Sequence, residues 1–165
     1  MVSDFEEVRG TKEINDTLFF LERVSVEQSL DKLVRDSEDL EFYLSFVNQS
    51  KIDSFQVLEE GSTRYELKYL GSITDVANSS AYHVIRNFKI TGIGEMLSPR
   101  GKSELAFIDT LTRDILIYNM GFPEYLPRYI EENSLRFDLD STMVFIYISG
   151  GLSPFICLPV IGCHD

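Results

Sequence analysis

The residues with the most chemical capacity stand together near the end of the chain. The run CLPVIGCHD, residues 157 to 165, holds both cysteines and one of the two histidines, His164; the other, His83, lies far upstream. Four kinds of chemistry use such residues: zinc ligation, a disulfide, a thiolate nucleophile with a histidine base, or plain packing. Zinc takes four ligands, or three with an open position. Cys157, Cys163 and His164 contain no C-x-x-C pair and would need distant His83 or a carboxylate to complete a tetrahedron, so no metal site is expected. A disulfide requires Cα atoms within about 7 Å. Read as one extended strand, residues 157 and 163 are ~20 Å apart, so a bridge demands a fold-back, and a reducing compartment disfavours it. A Cys–His dyad needs hydrogen-bond reach, and neighbours on a strand face opposite ways. Packing is the expectation for Cys157, since free cysteine behaves as a small hydrophobe. Residues 157 to 161 read as a strand held at a sheet edge or bulge by Pro159, which has no N–H to donate. Were the chain an enzyme, Cys157, Cys163, His83 and His164 would be its nucleophiles and bases.

Other catalytic plans fail on spacing. GIGEML at 92 to 97 has Leu97 where a dinucleotide fingerprint needs its third glycine, and no P-loop, nucleophile elbow, H-E-x-x-H or EF-hand loop occurs. Asp138 and Asp140 share a strand face by parity, as a pair of glycosidase acids would, yet they precede Ser141 and Thr142, where aspartate suits a turn. No cofactor is expected.

Charge is more telling. The chain carries 27 acidic and 15 basic side chains, a formal −12, distributed unevenly: 12 acids and 5 bases in residues 1 to 50, 6 of each in 51 to 100, and 9 against 4 thereafter. Such a field repels nucleic acid and anionic membrane and speeds encounter with a basic partner, although acidity also serves solubility. Binding is therefore the expected activity: an acidic module docking on a basic protein, most concretely an immunity-type inhibitor of a basic toxin or nuclease. Asp36, Glu38, Asp39 and Glu41 are the expected steering residues, with Glu59 and Glu60 at a hairpin tip as second choice. A self-associating protein with an exposed strand edge is the alternative beside the Cys/His enzyme.

These residues must be positioned by elements. SVEQSLDKLVR at 25 to 35 opens with Ser25 and Gln28 in capping-box spacing and puts Val26, Leu30, Leu33 and Val34 on one helical face. DSEDLEFYLSFVNQS reads as the start of a second helix, whose positive end the four acids would offset. TLFFLERV at 17 to 24 fits a strand or a helix end. FQVLE and RYELKYLG flank a hairpin turn, Tyr65 and Tyr69 alternating with charged residues as core or interface positions, and AYHVIRNFKIT reads as a further strand. At 98 to 120, Ser98-Pro99 looks like a helix start, and Leu105, Ile108, Leu111, Ile115 and Tyr118 recur at helical spacing up to Gly121, predicting one long central helix. Pro127 suggests a short helix in the connector that follows. LRFDLD, STMVFIYIS and PFICLPVIG close the chain as strands, the middle one central because it is apolar on both faces.

Helices before and between meandering strands predict an α+β fold in one domain over residues 1 to 165. At 165 residues such a domain buries roughly 70% of its unfolded surface. No run approaches the ~20 apolar residues of a membrane span. MVSDFEEVRG carries acid where a secretory signal carries base, so a cytoplasmic location is expected and the sequons at Asn15, Asn48 and Asn78 carry no information.

Overall fold

The computed structural model describes residues 16–20, 36–94, 98–140, 142–153, 155–159 and 161–165. The expected helix at 25 to 35 lies outside them. A 3-10 turn, Ser37–Asp39, leads into helix α1, Leu40–Gln49, which buries Tyr43, Phe46 and Val47, spaced at i, i+3 and i+4 on one face. Strand blocks follow, giving the α+β class expected.

Strands β2 (Phe55–Glu60), β3 (Thr63–Thr74), β4 (Ala81–Thr91), β5 (Arg100–Asp109) and β6 (Ile115–Asn119) form a five-stranded antiparallel meander in chain order. Strands β7 (Tyr129–Glu131), β8 (Ser134–Leu139) and β9 (Thr142–Tyr147) form a second antiparallel block, and β1 (Asp16–Phe20) adds to β9 in parallel, so β9 is interior. The helix α1 covers one face of the five-stranded sheet, over Leu67, Tyr69, Ile85, Ala106, Ile108, Ile115 and Ile117. The other face packs Val84, Leu105, Phe107 and Tyr118 against Phe137, Val144 and Ile146 of the second sheet. Each fully buried side chain of this size contributes about 1.5–3 kcal/mol. Tyr69 is thus a core residue and Tyr65 packs beside it, its ring 4.7 Å from that of Phe42.

The long helix expected at 98 to 120 is instead the β5–β6 hairpin. Every residue from Ser103 to Ile108 is buried, because β5 lies between two layers. A strand buried on both faces has no polar alternation, and its apolar run meets a helical template by coincidence. Leu111, which that helix would have buried, is 86% exposed. It sits in a turn where the Asp109 carboxylate accepts hydrogen bonds from the N–H groups of Leu111 and Thr112. The short helix expected after Pro127 is also a hairpin: Glu132 and Asn133 both take positive φ, 48° and 58°, between β7 and β8. Asn133 then reaches across to the other sheet, accepting from the Thr74 N–H at 2.7 Å and donating to its carbonyl at 2.9 Å. Among the described residues no helix is long and apolar enough to cross a membrane.

Candidate functional site

The head of α1 meets the β5–β6 end of the large sheet, and acids converge there. A cavity of about 370 Å³ is lined by Asp36, Glu38, Asp39, Lys102, Glu104, Ile117, Asn119 and Asp165. Parity on β5 puts Lys102 and Glu104 on the helix side, with Ala106 and Ile108, so the strand itself aims them at α1. Glu104 is 7% exposed and held from below: its Oε1 accepts from the Tyr43 hydroxyl at 2.9 Å and from Asn87 Nδ2 at 3.5 Å, while Lys102 Nζ lies 3.2 Å from Oε2. Asn87 Nδ2 also donates to the Tyr43 hydroxyl at 3.1 Å, tying helix, β4 and β5 into one buried network. Desolvation and the Glu104 charge push the Asp39 carboxyl above its ordinary pKa, against the pull of Lys89 and Lys102. Desolvation, reinforced by Glu104, likewise pushes the Tyr43 hydroxyl far up, so it remains a donor.

The six acids expected to steer a partner fall in three places. Asp36, Glu38 and Asp39 line the cavity. Glu41 is exposed farther along α1. Glu59 and Glu60 are exposed on β2, at the opposite edge of the sheet, and do not join them. Neither Asp36 nor Asp39 caps the helix with its side chain. Asp36 is buried and its Oδ2 accepts the Ile117 N–H at 2.7 Å, so it closes the outer edge of β6. Glu104 and Asp165 were missed by sequence reasoning. Only tertiary folding brings them to residues 36 to 39, and no local spacing signals it.

The tail has a different role from any favoured on spacing. Cys157 and Cys163 form a disulfide. The chain does fold back: the strand ends at Leu158, Pro159 begins a turn closed by the Ile161 N–H on its carbonyl at 2.8 Å, and β10 (Ile156–Leu158) pairs antiparallel with β11 (Gly162–His164) in a register that sets Cys157 opposite Cys163. The assumption of one continuous extended run through Ile161 concealed this, since Pro159 is a turn residue here and not an edge-strand residue. The end of the hairpin returns to the acidic cavity, where the Asp165 carbonyl accepts the Asn119 N–H at 2.7 Å. His83 shares a 2.8 Å hydrogen bond with the Tyr69 hydroxyl, and burial lowers its pKa. His164 stands beside Tyr125, with ring centroids 6.2 Å apart, and burial lowers its pKa too. With both sulfurs bonded to each other, neither cysteine is a thiolate in this form.

A second cavity of about 460 Å³ lies among Glu124, Tyr125, Asp138, Asp140, Thr142 and Ile161. Asp138 is ion-paired there with Arg136 and Arg128, each at 3.0 Å, and Asp140 occupies the β8–β9 turn with φ 53°. Among the described residues no group of three or more His, Cys, Asp and Glu side chains is arranged to hold a metal ion. Comparison with protein-family models, curated proteins and solved structures finds no match for the chain.

Proposed function

We propose that the chain is a protein-binding module that engages a basic partner, most concretely an immunity-type inhibitor that neutralises a basic toxin or nuclease. One observation carries the reading. Five carboxyl-bearing residues, Asp36, Glu38, Asp39, Glu104 and Asp165, line a cavity with a single base, Lys102. Lysine or arginine from a partner is the complementary group for that concavity. Desolvation, and after it the Glu104 charge, raises the Asp39 pKa, and an arriving cation offsets the charge repulsion. Carboxylates so placed stand where a nuclease would otherwise hold a phosphate, and the surrounding −12 field speeds encounter.

The test is co-purification of the partner from the native host with wild type and with a Glu38→Gln, Asp39→Asn double variant. The wild-type complex is expected to dissociate as salt rises from about 0.05 to about 0.5 M, where the Debye length falls severalfold. The variant is expected to bind at least tenfold more weakly at low salt. A complex indifferent to both changes contradicts the reading. The proposal places this binding in the cytoplasm, where the Cys157–Cys163 bridge meets a reducing thiol pool.

A further inference from the structure

The two edges of the large sheet are finished differently. At β6 the N–H groups of Ile117 and Asn119 are taken by the Asp36 carboxylate and the Asp165 carbonyl, both at 2.7 Å. At β2 no strand among the described residues pairs with the outer side, and every residue of β2 except Leu58 is exposed. The direction of its free backbone groups follows from the turn. Glu60 and Thr63 flank the two-residue turn Gly61-Ser62, so that pair exchanges its backbone hydrogen bonds, as do Leu58 with Tyr65 and Gln56 with Leu67 two residues on each time. The N–H and C=O groups of Phe55, Val57 and Glu59 therefore point away from β3. The side chains of these same three residues share one face, on which Phe55 is 63% and Val57 40% exposed.

Native edge strands are usually blunted by charged side chains, lysine above all, or by proline, a bulge or a covering element. Strand β2 carries aromatic and β-branched side chains instead, with two glutamates at one end. We infer that β2 is a docking edge that adds an extended strand from a basic partner, with apolar side chains opposite Phe55 and Val57 and lysine or arginine opposite Glu59 and Glu60. The partner's strand runs antiparallel, so that its alternate backbone groups meet those of Phe55, Val57 and Glu59. A second copy of this chain fits worse. Antiparallel pairing about Val57 sets Glu59 of one copy against Phe55 of the other, with no cation to meet the carboxylate. In-register parallel pairing aligns like charges, which is unfavourable. This surface is separate from the acidic cavity and stands independently of it.

The probe is a fluorescein-labelled peptide, Lys-Lys-Val-Val-Thr-Val, ordered to meet residues 60 down to 55, titrated into the full chain and followed by anisotropy. Saturable binding below about 1 mM is expected. N-methylation of the peptide amides opposite Phe55, Val57 and Glu59 is expected to weaken it at least tenfold, whereas methylation of the alternate amides leaves it within twofold. A Glu59→Gln, Glu60→Gln double variant is expected to lose severalfold affinity, and the cavity variant Glu38→Gln, Asp39→Asn none, which separates failure here from failure of the cavity reading. Absence of saturable binding overturns the proposal. So does equal loss with both methylation patterns, or a chain whose own dimerisation is abolished by Val57→Pro.

Discussion

Asp75 is the most heavily committed carboxylate among the described residues. It is 1% exposed, and its two oxygens accept hydrogen bonds from the backbone N–H groups of Ala77, Asn78, Gly150 and Gly151 at 2.5 to 3.0 Å. Burial alone would raise its pKa, but those four donors outweigh it and hold the value below that of an ordinary aspartate. It thereby clamps the β3–β4 loop to the glycine pair after β9, where Gly150 and Gly151 take positive φ. Because the folded pKa is depressed, the stability it contributes is present above the unfolded value of about 3.9 and is lost as pH falls through the lower folded value. Asp75→Asn turns an amide NH₂ toward these donors and is expected to cost about 2–3 kcal/mol at pH 7. The gap between variant and wild type should narrow below about pH 4, as measured by urea unfolding; an equal gap at both pH values would refute the assignment. At this scale the sequence was only partly legible. Asp36, Glu38 and Asp39 could be singled out because they are dense within one stretch. Glu104 is a single acid within the buried run Ser103–Ile108 of β5, and its importance comes from Tyr43 and Asn87, 61 and 17 residues away.

Among the elements, the C-terminal hairpin couples the tail to the acidic cavity. The disulfide fixes the pairing of β10 with β11, and β11 delivers Asp165 to the edge of β6. The bridge closes a short loop, with a sequence separation of 6, so its removal is expected to cost about 2 kcal/mol on loop entropy. Thermal unfolding with and without reductant measures that cost, and Cys157→Ser gives the same comparison without reductant. In acid-quenched cells both thiols should be alkylatable if the protein resides in the cytoplasm, while the purified oxidised chain should show none. The hairpin β2–β3 and strands β4 and β8 could be read from alternation because one face of each is more polar than the other, and β9 as a short run apolar on both faces that ends at the Gly150-Gly151 turn. Strand β5 could not, since it is buried on both sides and offers no period to detect. The β7–β8 turn was hidden for another reason. Glu132 and Asn133 take the left-handed conformation without a glycine, and a tertiary contact from Asn133 to Thr74 accompanies that conformation.

For the whole molecule, charge and fold act together. The net −12 spreads a repulsive field over any polyanion and an attractive one over a cation, while the sheet and α1 gather five of the acids about one concavity. The opposite edge of the sheet carries Glu59 and Glu60 beside exposed Phe55 and Val57, so the basic partner we propose would meet one surface suited to a side chain and another suited to a strand. Long-range attraction should appear in the rate of encounter, and cavity contacts in the lifetime of the complex. The association rate constant of the purified partner, followed by stopped-flow fluorescence across about 0.02 to 0.5 M salt, tests the central claim most directly. The account predicts a steep fall in that rate with salt, and for Glu38→Gln, Asp39→Asn both a shallower slope and faster dissociation. A rate constant flat across that range, with dissociation unchanged in the variant, would contradict it.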